Sequence, residues 1–253
     1  MSLSSGNCVS VSVEICVASI DGALAAARGG ADRIELNSGL ALGGVTPSIG
    51  LATTVVAAVN IPVISMLRPR ESGFCYSDNE FNVMRRDLDA LLEAGVAGIA
   101  FGVLNADGSV DTARCEQLIS QMGDREPVFH RAFDVVKDAD AALQSLIGLG
   151  FKRVMTSGLA ATAAAGSSRI RELIQAAADS VGILAAGGVR SHNVAQLIAR
   201  TGCQHVHAAL LKTETDSSVI TDIAFSSQRS DGEHLYSITD EDAVAKFVSA
   251  VRT

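Results

Sequence analysis

The sequence predicts an α/β protein of the triosephosphate-isomerase type, a closed (β/α)8 barrel formed as a single domain over residues 1–253, and three observations predict it. First, eight short segments rich in Val, Ile and Leu alternate with stretches of helical character, the pattern of parallel strands joined by crossover helices. Second, Gly30, Gly95, Gly150 and Gly202 end the helices ahead of strands two, four, six and eight, whereas Pro62 and Pro127 precede strands three and five. This two-step rhythm describes four strand–helix–strand–helix units. Third, barrels of this kind use roughly 250 residues as one domain. An open doubly wound sheet is the alternative, and it has to place all eight strands side by side.

The elements follow in order, with barrel strands over about 11–207. Val11–Val17 alternates, with Val11, Val13 and Ile15 on one face and Ser12, Glu14 and Cys16 on the other. Ile20–Arg28 is an alanine-rich helix closed by Gly29-Gly30. Asp32–Asn37 is strand two, with apolar Ile34 and Leu36 set against Arg33, Glu35 and Asn37. A glycine-rich loop then reaches Thr46-Pro47-Ser48, where Thr46 can cap a helix to about Val59 and Pro47 suits its first position. Strand three, V-I-S-M-L-R, starts after Pro62; Ser77 or Asp78 caps the next helix, which carries Glu80 in its first turn and continues to Ala94. Ala97–Gly102 is strand four, followed by a turn and a helix from about Asp111 to Met122. Pro127–His130 is strand five, running into R-A-F-D, with a helix over Ala139–Leu149. Lys152–Thr156, Val181–Ala185 and Cys203–His207 are strands six to eight, separated by helices over Ser167–Ala178 and Ser191–Arg200. Residues 212–233 are polar and read as a long loop; a closing helix covers about 240–251.

Composition narrows the function classes. The chain carries a net charge of -8 and no basic cluster, which argues against a nucleic-acid partner, since phosphate contacts need a basic face. No apolar run approaches the roughly 18 residues of a membrane span, and Met1–Ser10 lacks the charged and apolar regions of a secretory signal, so no membrane partner and a cytoplasmic location are expected. The five cysteines, at 8, 16, 75, 115 and 203, form no close pair and read as reduced thiols.

In such barrels function sits at the carboxyl ends of the strands. The residues expected there include Glu14, Cys16, Arg33, Glu35, Asn37, Met66, Arg68, His130, Asp134, Thr156, Ser157, Gly187, Gly188, His205 and His207. Strand parity turns Glu14, Cys16, Arg33, Glu35 and Asn37 inward, because their alternates are aliphatic and suit the helix layer. Glu14, Arg33, Glu35 and Arg68 can form a charge-balanced network filling the barrel. Arg33 and Arg68 can also bind a substrate anion, with Glu14, Glu35, His130 and His207 as candidate acids and bases. The turns Thr156-Ser157-Gly158 and Ala186-Gly187-Gly188 can present backbone N–H groups to a phosphate.

Five segments carry a resemblance: E-I-C-V-A-S, G-G-A-D-R-I-E-L-N-S-G-L-A-L-G-G-V-T-P-S, R-P-R-E-S-G-F-C-Y-S-D-N-E, F-H-R-A-F-D and V-M-T-S-G. In this order, and spanning about Val13 to His207, they resemble the CutC family of copper homeostasis proteins. The resemblance implies a barrel of the same type, a cytoplasmic location, homo-oligomers, and copper as the ion bound or trafficked. It also implies copper ligands from two cysteines at the ends of strands one and two. The first falls on Cys16 and the second on Asn37, so Met66 or His207 would have to complete the set. The family's P-G-G-G-like turn is here Ala186-Gly187-Gly188. Two functions follow: a copper-binding protein using Cys16 and its neighbours, or a barrel enzyme doing acid–base chemistry on a small anionic or phosphorylated metabolite.

Overall fold

The computed structural model describes residues 11–220, 223 and 234–253. Cys8, the Met1–Ser10 segment and most of the polar stretch after residue 220 lie outside the described residues. Eight parallel strands close into a barrel in sequence order: β1 (Ser12–Val17), β2 (Arg33–Leu36), β3 (Val63–Met66), β4 (Gly98–Phe101), β5 (Glu126–Phe129), β6 (Arg153–Thr156), β7 (Gly182–Ala185) and β8 (His205–Ala208). β8 returns to pair with β1, so the barrel has no open edge. The helices between them are α1 (Ile20–Arg28), α2 (Ile49–Ala58), α3 (Asp78–Glu93), α4 (Thr112–Met122), α5 (Ala139–Leu149), α6 (Ser167–Ala177) and α7 (Val194–Thr201); α8 (Glu241–Arg252) completes the ring. The glycines that end helices before the even strands, Gly30, Gly95, Gly150 and Gly202, all have positive φ, which lets the chain leave the helix without a Cβ penalty.

Strand parity divides the interior into two compartments. Outward residues such as Val13, Ile15, Ile34, Leu36 and Ile99 join Ala23, Val55, Leu88 and Phe247 from the helices in the continuous core between sheet and helix layer. Inside the barrel apolar side chains gather in two patches, Ile64–Ala100–Val128 and Met155–Leu184–Ala186. The remaining interior, along β8, β1 and β2, is occupied by charged and polar side chains.

Two local expectations change. Ser48, not Thr46, caps α2: its hydroxyl accepts from the Leu51 N–H at 3.1 Å. Thr46 is unavailable because its hydroxyl accepts from the Arg68 N–H at 2.9 Å and lies 3.1 Å from the Arg68 carbonyl, which it donates to. The stretch after residue 210 is not all loop. β9 (Leu211–Thr215) pairs antiparallel with β10 (Leu235–Thr239), and this hairpin packs against α1. A third feature went unpredicted: R-A-F-D forms a 3-10 turn over Arg131–Val135.

The start of α3 is fixed as expected. Ser77 accepts from the Glu80 N–H while the Glu80 carboxylate accepts from the Ser77 N–H, a reciprocal capping box. Ser77→Ala is expected to lower stability by about 1 kcal/mol in urea unfolding, with no change in the slope of the transition.

Candidate functional site

The polar column is built in layers by the strand register. Glu14 stands beside Arg33 and beside His207, and Cys16 stands beside Glu35 one layer nearer the mouth. Arg33 donates from Nε to Glu14 at 2.7 Å and from Nη1 to Glu126 at 3.0 Å, and Arg153 pairs with the second oxygen of Glu126. The other Glu14 oxygen lies 2.8 Å from His207 Nδ1. Of the expected network of Glu14, Arg33, Glu35 and Arg68, these contacts join Glu14 to Arg33 and add Glu126 and Arg153, while Arg68 bonds backbone carbonyls instead of a carboxylate. Both added residues lie on the same parity as inward residues, Glu126 with Val128 and His130, Arg153 with Met155. That shared parity was the signal available for finding them.

Ionisation follows from these contacts. Burial works against a charged Glu14, but the His207 hydrogen bond and the Arg33 charge prevail and hold its carboxyl below the usual range. At Glu35, burial together with the Glu14 charge outweighs His207 and Asn37, and its carboxyl is raised. Burial alone would depress His207; Glu35 and Glu14 reverse this and raise it. The Cys16 thiol is pushed well up by burial and by the Glu35 and Glu14 carboxylates. His130 is different. Burial, then the Arg68 charge, drives it down to about 3, so the ring is neutral at ordinary pH.

At the carboxyl end of the strands a cavity of about 360 Å³ opens over this column, lined by Cys16, Glu35, Asn37, Met66, Arg68, Phe74, His130, Arg131 and His207 among others. A cleft of similar size lies at the opposite end, around Lys152, Arg153 and His205, away from the strand ends where barrel chemistry is carried. His205 is therefore remote from the mouth. Glu14, Arg33, Thr156, Ser157, Gly187 and Gly188 do not line the mouth cavity. Glu14 and Arg33 act from below, by orienting His207 and neutralising charge.

Three donor atoms, one each from Cys16, Glu35 and His207, lie within 4.8 Å of one another. Because Glu14 takes His207 Nδ1, Nε2 is the nitrogen left for a ligand, and it lies 3.8 Å from Glu35 Oε2. Asn37 Nδ2 donates to Glu35 Oε2 at 2.9 Å and to Cys16 Sγ at 3.3 Å. Its Oδ1 has no partner, and neither has Glu35 Oε1. Gly44 presses on Asn37: a Cβ there would come 2.4 Å from Oδ1, and φ is +84°.

The loop after β6 does hold an anion, but it is the chain's own. The Asp134 carboxylate accepts from the hydroxyls of Thr156 and Ser157 and from the Ser157 N–H at 2.9 Å. Arg131 closes the group, with Nε 2.7 Å from Asp134 and Nη2 3.0 Å from Ser157 Oγ. The donors of Thr156 and Ser157 expected for an external phosphate are thus engaged by Asp134 in this structure. Gly187 belongs to the same packing, since a Cβ on it would meet Ser157 Cβ at 3.1 Å, so its glycine reads as close approach rather than as a cradle. Arg131 was missed in the sequence, although an Arg and an Asp three apart directly after a strand is the visible sign of such a pair. Arg68 also differs from a free clamp: Nη1 donates to the carbonyls of Leu42 and Gly44, and Nη2 to that of Ser72.

Comparison with known proteins places these features in a family. The profile of the CutC family matches residues 11–212. A CutC family protein of Treponema denticola is 42% identical over 208 residues, covering 82% of this chain and 85% of its own. The human copper homeostasis protein cutC homolog is 38% identical over 230 residues, covering 90% of this chain and 84% of the human one. Among solved structures, the copper homeostasis protein CutC of Streptococcus agalactiae superposes with a TM-score of 0.74 at 28% identity, over 78% of this chain and 97% of that one. Phosphoribosylanthranilate isomerase of Thermotoga maritima, at 12% identity and a TM-score of 0.57 over 96% and 98% of the chains, shares the fold alone.

Proposed function

The chain belongs to the CutC family, and from that premise we propose that it serves copper homeostasis by binding a copper ion as its cargo at the mouth of the barrel. The observation that carries this reading is the convergence of Cys16, Glu35 and His207 donor atoms within 4.8 Å. Thiolate and imidazole are donors that suit copper, and the unpartnered Glu35 Oε1 is a buried acceptor that an ion would satisfy. Glu14 supports the site from behind by holding His207 Nδ1, the arrangement that fixes a ligating imidazole. The four described cysteines are all unpaired, in keeping with a cytoplasmic, reducing setting.

Asn37 sets the strength of the site. A second thiolate would give Cu(I) the soft pair it prefers, whereas the amide against Cys16 Sγ leaves one thiolate with harder partners. Asn37→Cys is therefore expected to tighten Cu(I) binding by at least about tenfold in a chelator competition, and Cys16→Ser in the same background to undo the gain. Tight wild-type binding that neither substitution changes would remove this site from the function.

A second reading, an enzyme moving protons on a small anionic metabolite, draws on the same residues: Glu14, His207 and Glu35 form a carboxylate–imidazole–carboxylate chain open to the cavity at Glu35.

A further inference from the structure

Across the cavity from Cys16 and His207, two buried hydrogen-bond donors stand without acceptors. Arg68 is 6% exposed and carries a full charge, yet no carboxylate among the described residues pairs with it. Three of its N–H bonds go to backbone carbonyls, which hold the guanidinium in place without neutralising it. Its Nε makes no hydrogen bond, and the Tyr76 hydroxyl beside the guanidinium is likewise unpartnered. Nε and Nη2 form the side-on edge of a guanidinium, the edge that receives a carboxylate with two parallel bonds.

His130 supplies the second donor. Its Nδ1 accepts from the Ala132 N–H at 3.2 Å, which leaves the proton on Nε2, and Nε2 has no partner although the residue is 3% exposed. The Phe74 ring ties the two together, 4.9 Å from the His130 ring and 5.2 Å from the Arg68 guanidinium carbon. An unsatisfied buried donor is costly, and a buried cation without a counter-ion more so. One acceptor placed between them would satisfy both.

We propose that this wall of the mouth cavity is a binding site for a small organic carboxylate, seated on the Arg68 Nε–Nη2 edge, with His130 Nε2–H as a third donor and Phe74 and Met66 against its carbon skeleton. The charge count favours a carboxylate over a phosphate. The other cavity-lining cation, Arg131, is already paired with Asp134, so a single positive charge is on offer, and a planar monoanion matches it. A cavity of about 360 Å³ limits the ligand to a small molecule. The proposal goes beyond the copper reading and uses none of its three donors.

The test is calorimetric titration of the full chain, passed over chelating resin, with glycolate, pyruvate, L-lactate, succinate and benzoate, and with inorganic phosphate and glycerol for comparison. At least one carboxylate is expected to bind saturably. Arg68→Lys, which keeps the charge but loses the fork, should weaken it by about tenfold or more. His130→Asn, which can keep the acceptor for Ala132 N–H but removes Nε2–H, should weaken it severalfold. The copper experiment is read at Cys16 and Asn37 and this one at Arg68 and His130, so a failed copper experiment and a failed carboxylate experiment remain separate results. No saturable binding by any carboxylate, phosphate binding in preference to all of them, or binding that both Arg68→Lys and His130→Asn leave intact would each overturn the proposal.

Discussion

Arg33→Met is expected to destabilise the fold by about 3 kcal/mol, the lower end of the 3–5 kcal/mol that breaking a buried ion pair costs. Arg33 is 5% exposed and Glu14 1%, so neither charge can recover hydration when its partner is lost. The substitution removes the 2.7 Å bond to Glu14 and the 3.0 Å bond to Glu126 together. The cost stays at the lower end because each carboxylate keeps another partner, Glu14 with His207 and Glu126 with Arg153. Urea unfolding measures it, and the double variant Arg33→Met/Glu14→Gln should recover part of the loss, since it removes the stranded charge as well. A melting temperature unchanged within error would show that the column fills space without holding the barrel together.

The Glu14–Arg33 pair at the centre of that network was legible in the sequence, because strand parity is a strict period. Once Ile34 and Leu36 are assigned to the helix layer, Arg33, Glu35 and Asn37 have nowhere to go but inward, and the same holds for Glu14 and Cys16. Parity fixes direction, not partners. The pairing of Arg33 with Glu126 joins β2 to β5 across the barrel, a contact between residues 93 positions apart that no local pattern encodes. The fate of Asp134 was hidden for a related reason. Its position next to Thr156 and Ser157 depends on the 3-10 turn over Arg131–Val135, which follows directly on the end of β5 and has no amphipathic period long enough to read. The β9–β10 hairpin escaped notice because L-K-T-E-T is polar after its first residue, and a long segment separates it from L-Y-S-I-T, whose alternation is too short to stand out alone. The start of α3 was read to within one residue, as Ser77 or Asp78, whereas that of α2 was misread at Thr46 and Ser48, where tertiary contact with Arg68 decided between two competent hydroxyls.

The buried His130 should make the protein acid-sensitive over a defined window. In the unfolded chain its imidazole takes up a proton near the ordinary value of 6.5, whereas in the native state it does so only near 3, because burial and then the Arg68 charge oppose the imidazolium. Between those values the unfolded state binds more protons than the native one, so stability falls as the pH drops. Above 6.5 the ring is neutral in both states and contributes no slope. Through the window the folded-to-unfolded ratio is expected to lose about tenfold per pH unit from this residue, roughly 5 kcal/mol in all by the time both states are protonated. Carboxylates of the polar column titrate over part of the same range, so the residue's share is read as a difference. Wild type and His130→Asn are compared by urea unfolding at pH 7, 6, 5 and 4. His130→Asn removes the titrating ring and leaves an oxygen that can accept from the Ala132 N–H, so its stability should decline less steeply than wild type below pH 6.5 and run parallel above it. Parallel curves over the whole range would mean that the His130 imidazole is hydrated or otherwise free to protonate in the native barrel, and the unpartnered Nε2 donor at the mouth would lose its basis.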